Sequence, residues 1–306
     1  MPTTFLGGDL KLAADLAVAN PDEILLATKS FSLGVETEGM EEGDSTQVFV
    51  AGSVPKAKAF DRKDNNYMTD NGGEHAWKTH TLDYHAKSSF VIARKFFNKL
   101  TPQKMAALLK RHVTAVVSKI VDDSFAKITT LAFPNFFNAG PALNFDEGAV
   151  NEIETELAKL IGSNSERNLI LNMDHFSGLR KNLVNIPPAP TNNEVLLSGI
   201  IPGITGFANV IRTTALKSAG NENIVGFATN MSGIALSVAA VNHIPVFKDG
   251  AGEVENTIEA TTGIPLTFSV DYDKDTRDYV ATVEALYAIS VIDKNGILCL
   301  TSTVAA

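Results

Sequence analysis

Residues 46–92 read TQVFVAGSVPKAKAF (46–60), DRKDNNYMTDNGG (61–73) and EHAWKTHTLDYHAKSSFVI (74–92). Two β-prone arms around a tip rich in Asn, Asp and Gly predict a long β-hairpin. In the return arm, alternation puts His75, Trp77, Thr79, Thr81 and Asp83 on one face and Ala76, Lys78, His80, Leu82 and Tyr84 on the other. Neither face is apolar enough to dock on a core, and a lone two-stranded hairpin is marginal in water. The expected cover is another copy of the same chain.

The chain has 306 residues, enough for one large or two moderate domains. Hydrophobic residues make up 44% and charged residues 20%, so composition indicates a globular protein rather than a disordered or fibrous one. A formal charge of −9 argues against a dedicated nucleic-acid binder, which usually carries a basic stripe, but not against a protein that encloses nucleic acid without gripping it. Cys299 is the one cysteine and cannot form an internal disulfide, which suits a reducing compartment. The opening MPTTFLGGDLKLAADLAVANP lacks a basic start before an apolar run, so no targeting segment is expected. From Asn223 to Phe247 there is no Asp, Glu, Lys or Arg. Asn230, Ser232, Gly233, Asn242 and Pro245 interrupt that stretch, so it reads as a buried strand followed by a buried helix rather than a membrane span. The chain is expected to be soluble.

Outward from the hairpin, residues 1–45 are a weakly patterned arm with one short helical run, Leu10 to Val18, and an acidic approach, EGMEEGD at 38–44. After the hairpin, Thr101 and Pro102 make a helix start. Met105, Leu108, Leu109, Val113, Val116, Val117, Ile120, Phe125 and Ile128 then recur at helical spacing, with Lys104, Lys110, Arg111 and Lys119 at other positions. From Pro102 to Ile128 this helix would be about 40 Å long, a spine on which a flat domain can be built. LAFPNFFNAGPALNF is a loop; a second amphipathic helix runs from Asp146 to Ile161, with Gly162 as its stop. NLILN is a short buried strand, DHFSGLRK a helical turn and IPPAPTNN a loop. EVLLSGII, GFANVIR and NIVGFAT read as strands, SGIALSVAAV as a helix, and IPLTFSVDY, RDYVATVEALYAISVI and GILCLTS as closing strands. The last two flank Asp293-Lys294-Asn295-Gly296, whose Asn-Gly is a hairpin signal.

Signatures of chemistry are sparse. His75, His80 and His85 are five apart, a spacing that shares a face on neither a strand nor a helix, so a structural role is expected rather than a metal site. Asp271, Asp273, Asp275 and Asp278 resemble the opening of a calcium loop, but Thr276 and Thr282 stand where an EF-hand needs Gly and Glu. A charged turn between two strands is the better reading. Gly250-Ala251-Gly252 lacks the third glycine of a dinucleotide fingerprint, and neither a phosphate loop nor a Gly-x-Ser-x-Gly elbow occurs. Cys299 lies in an apolar strand and reads as a core residue. No catalytic residue, cofactor or metal ligand is therefore assigned. Trp77 reads as an interface anchor or a local packing residue, and Phe60, Trp77 and Tyr84 are the candidate contacts to a neighbouring subunit.

The order of these elements resembles the major capsid proteins of tailed phages, with the Hong Kong 97-type fold, over nearly the whole chain. The local likeness rests on AVNEIETELAKLIG (149–162) followed by SERNLILNMDHFSGLRK (165–181), EVLLSGIIPGITGFANVIRTTAL (194–216), NIVGFATNMSGIALSVAAV (223–241) and the closing stretch 267–302. The resemblance implies an α+β fold. Residues 1–45 would be an N-terminal arm, 46–92 the extended β-hairpin loop and 93–145 a peripheral domain with the spine helix. Residues 146–250 would be an axial domain, and 251–306 closing strands returning to the peripheral domain. It further implies a non-enzymatic subunit of hexamers and pentamers in an icosahedral shell around double-stranded DNA, located in the virion after synthesis in the host cytoplasm. A separate scaffolding protein, since 1–45 has room for only a short arm, together with a portal and decoration proteins would be its partners; a membrane would not. An encapsulin-like cellular compartment is the nearest alternative. A soluble α+β enzyme or binding protein with a hairpin lid is the alternative of another class, and it would need a pocket with convergent polar groups.

Overall fold

The computed structural model describes residues 7–18, 30–50, 76–97, 99–161, 166–184, 200–204, 206–216, 223–242, 253–258, 263–273 and 275–302. The long amphipathic helix, α3 (Pro102–Phe125), organises the larger half. Met105, Leu109, Val113, Val116, Val117, Ile120 and Phe125 are buried along one side of it, as the spacing predicts, while Leu108 stays 39% exposed. Each such side chain, fully buried, contributes about 1.5–3 kcal/mol. Thr101 occupies the cap position without a side-chain bond, and Pro102 begins the helix.

Two elements of the N-terminal segment pack on this core. Helix α1 (Gly7–Val18) turns Leu10, Ala13, Ala14 and Ala17 inward against α3; the three alanines let the two helices approach closely. Strand β1 (Ser32–Met40) pairs in parallel with β10 (Ile234–Val241). The described parts of the arm read over residues 1–45 thus pack on their own chain. An alanine-rich face carries little apolar signal, and β1 finds its neighbour some 200 residues away in sequence.

The hairpin is present at its base. Strand β2 (Ser45–Val50) pairs antiparallel with β3 (Ala76–Thr81), and residues 51–75, including the tip, lie outside the described residues. The return arm then bends at Leu82 and Asp83, and β4 (Tyr84–Ile92) pairs with β13 (Tyr279–Val291) over nine residues. Half of the supposedly free arm is therefore a strand of the main sheet, with Ala86 and Ile92 in its core. The alternation of β4 is weak because Ser88 faces His112 of α3, a hydrogen bond of 2.7 Å, rather than an apolar neighbour.

The first sheet has the order β1-β10-β13-β12-β11, in which β10 and β12 (Pro265–Tyr272) share one side of the long β13, β11 (Glu253–Ile258) follows β12, and β4 lies along the opposite side of β13. The acidic run at 271–278 is the turn from β12 to β13, closed by Asp273 N–H donating to the Asp278 carbonyl, as read from sequence. The second sheet has the order β5-β14-β9-β6-β8-β7, formed by Phe136–Asn138, Ile297–Thr301, Ile224–Thr229, Asn168–Asn172, Phe207–Thr213 and Ile200–Ile204. Helices α4 (Glu147–Ile161) and α5 (Met173–Val184) accompany it, α4 burying Val150, Ile153 and Leu157. The four-residue α2 (Arg94–Phe97) leads into α3.

Two expectations fail here. SGIALSVAAV is strand β10, buried over its length, not a helix. Strands covered on both faces lose the alternation that identifies them. The strands flanking Asn295-Gly296 do not pair, since β13 belongs to the first sheet and β14 to the second. The chain crosses between sheets at 230–233 and returns at 292–296, and the two crossings touch: Ile292 N–H donates to the Gly233 carbonyl at 2.9 Å. Segment 146–250 thus contributes β10 to the first sheet, and segment 251–306 contributes β14 to the second. No helix of the described residues is long and apolar enough to cross a membrane.

Candidate assembly surface

The base of the hairpin has two chemically different faces. Inward, Thr46, Val48 and His80 are buried against the first sheet. Val48 packs with Ala235, and a Cβ on Gly34 would come within 2.5 Å of its Cγ2, so glycine at 34 is what lets β2 lie this close. His80 is 7% exposed, and its two ring nitrogens meet Ser237 Oγ of β10 at 2.7 Å and Ser290 Oγ of β13 at 2.6 Å. The hydroxyls can donate or accept, so a neutral imidazole is satisfied in either tautomer. The expectation that neither face could dock is corrected: one face docks through a small valine and a hydrogen-bonded histidine, which apolar patterning does not reveal.

Burial lowers the His80 pKa from its ordinary 6.5, and burial does the same to His112, which stacks on Phe90. Unfolding therefore releases groups that take up protons more readily. Stability should be undiminished above pH 6.5 and fall as pH drops through that value toward the lower folded pKa values. Urea midpoints between neutral pH and about pH 5 should show this slope, and His80→Gln should flatten it, with His112 keeping a remainder. An unchanged slope in His80→Gln would refute the assignment.

Outward, Phe49 and Trp77 face each other across the β2–β3 pair, ring centroids 5.4 Å apart, and are 49% and 66% exposed. Of the residues singled out from sequence, Trp77 is therefore on the open surface. Phe49 was missed, although the hairpin register itself makes it the partner of Trp77. Tyr84 is 40% exposed but stacks on Tyr287 of β13 at 5.3 Å, with Lys127 Nζ 5.9 Å from its ring centre. The Tyr287 hydroxyl in turn donates to Asp123 of α3, and burial first, then that carboxylate, pushes the Tyr287 pKa up. Phe60 lies outside the described residues.

The histidines do not converge. His80 is held by serines, His85 meets the buried Glu284 at 3.1 Å, and His75 lies outside the described residues. Among the described residues no group of three or more His, Cys, Asp or Glu could hold a metal ion. Cys299 is buried in β14. A cleft of about 560 Å³ at the end of the second sheet is lined by Asn172, Asp174, His175 and Thr213 among others. There His175 is 3% exposed and bonded to Asn172 Oδ1 at 3.0 Å and the Gly140 carbonyl at 3.1 Å, which ties both ring nitrogens to the frame.

The sequence matches no protein-family model and no curated protein. Solved structures match at full length. The capsid of a native GTA particle aligns with a TM-score of 0.53 at 10% identity, over 94% of this chain and 92% of its own. A virus-like particle from Pyrococcus furiosus aligns with a TM-score of 0.52 at 12% identity, over 97% of this chain and 99% of its own. A Mycobacterium phage Adephagia structure aligns with a TM-score of 0.50 at 14% identity, over 94% and 92%. The fold is the Hong Kong 97-type capsid fold.

Proposed function

We propose that this chain is a major capsid protein that assembles, as hexamers and pentamers, into the icosahedral head of a tailed phage around double-stranded DNA. The subunit is structural rather than catalytic and resides in the virion, after synthesis in the host cytoplasm. A separate scaffolding protein, a portal and decoration proteins complete its partners. The observation that carries the reading is end-to-end likeness to a chain of a virus-like particle and a chain of a particle capsid, over more than 90% of both partners. A Phe49–Trp77 pair left open on the root of the extended loop supports it, because exposed aromatic pairs are what interfaces anchor on. A shell of the encapsulin type is the second reading, favoured by the match to the Pyrococcus furiosus particle over 99% of that chain.

Negative-stain imaging of the purified chain, alone and with its scaffolding partner, should show closed shells or capsomer rings. Nuclease-protected DNA in particles from infected cells separates the phage head from a compartment holding protein. Phe49→Ser with Trp77→Ser should cut particle yield by more than about tenfold, since a Trp hot spot contributes 2 kcal/mol or more to binding. Circular dichroism should stay unchanged. A chain that remains monomeric in every condition, or turns over a substrate at a rate tracking one residue, would defeat the proposal.

A further inference from the structure

Charge is distributed unevenly along this chain. Residues 84–121 hold eight of its 26 Lys and Arg and none of its Asp or Glu, so a protein of net charge −9 carries a purely basic stretch. The structure places Arg94, Lys95, Lys99, Lys104 and Arg111 exposed on α2, the following turn and the first turns of α3, with Lys110 half-buried beside them. Lys104 and Arg111 are seven apart, two turns along one face of α3, with exposed Leu108 between them and exposed Phe96 on α2. The start of α3 is also uncompensated: its first turn has no acidic residue, and Thr101 makes no side-chain cap bond. Cations at a helix N-terminus oppose the helix dipole. The geometry therefore favours an incoming anionic surface, and one that also covers Phe96 and Leu108 is a protein rather than a nucleic-acid backbone.

The matching surface lies on the same chain. Between Ser30 and Pro55 there is no Lys or Arg, while Glu36, Glu38, Glu41, Glu42 and Asp44 cluster where β1 turns into β2. Glu38, Glu41, Glu42 and Asp44 are exposed there. Among the described residues no ion pair joins this turn to the basic face. We infer that the basic face at the start of the spine helix docks the acidic β1–β2 turn of a second copy of this chain. The contact is head-to-tail, the type that closes rings. This rests on the shell reading above. Isolated surface pairs contribute little, but opposed patches set register and speed encounter, and salt weakens them.

Charge reversal in two separate full-length chains tests it. One carries Lys104→Glu, Lys110→Glu and Arg111→Glu; the other carries Glu38→Lys, Glu41→Lys and Glu42→Lys. Five of the six positions are exposed and Lys110 is half-buried, and circular dichroism with the neutral Gln versions controls for folding. Sedimentation at low salt is the readout, because an odd-numbered ring cannot alternate two variants. Each variant alone should associate at least about tenfold more weakly than wild type, the equimolar mixture should recover association, and added salt should weaken wild type and mixture alike. If both variants associate like wild type, or the mixture stays dispersed, the inference falls while the shell reading stands. It also falls if the Glu variant associates normally but loses affinity for duplex DNA, for the face then serves nucleic acid. A wild type that never associates, even with its scaffolding partner present, overturns both.

Discussion

Deleting Asp61 to Gly73 and bridging the gap is expected to abolish shell assembly while leaving the subunit folded. The root of the hairpin anchors it to its own subunit. Thr46, Val48, His80 and Leu82 are buried, β2 and β3 exchange backbone bonds from Ser45 to Val50, and β4 is stitched to β13. None of these residues is removed. The described residues of the two large cores, around α3 and around α4, are all left in place by the deletion. Circular dichroism and the urea midpoint should therefore stay near wild type, while sedimentation shows only small species. Obligate interfaces commonly bury about 2,000 Å² or more, and a projecting hairpin is an economical way to reach that area. An unfolded deletion variant would place the tip in the core, and normal shells would show that it is not the assembly element.

Gly296→Val should destabilise the subunit by about 3 kcal/mol, near the upper end for overpacking and a large part of a domain's total stability. A Cβ at 296 would sit 2.5 Å from the Gly233 nitrogen and 2.8 Å from its Cα. These are backbone atoms at the point where the two inter-sheet crossings touch. Thr229 Oγ1 donates to the Gly296 carbonyl at 3.0 Å, so that backbone cannot simply swing away. Because the clash is at Cβ itself, Gly296→Ala should already show most of the loss in the urea midpoint. A cost below about 1 kcal/mol for Gly296→Ala would mean that the crossing is looser than described.

The same glycine shows where sequence reading stops. Asn295-Gly296 was read as a hairpin turn because that dipeptide suits two φ-permissive positions, yet the glycine is required for a close approach to Gly233, 63 positions away in sequence. Local chemistry names a turn; it does not say which sheet receives the next strand. Trp77 was legible as an interface candidate because a lone Trp on a polar arm has no local explanation. Phe49 was not, because its importance depends on the strand register that sets it opposite Trp77. Tyr84 looked equally free and is stacked on Tyr287, a partner over 200 positions away.

What the sequence alone determined is the set of elements whose periodicity survives partial exposure, the spine helix and α4, together with the charged turn at 271–278, whose composition marks it. Half-exposed elements show the period of their own geometry, since one side must meet water. Only the tertiary structure decided that β10 is a strand, that α1 and β1 belong to the core, and that the root of the hairpin is bound while its aromatic outer face is open. Buried on every side or built from alanine, such segments carry no contrast between faces, and their state is settled by partners that the chain brings from far along its length.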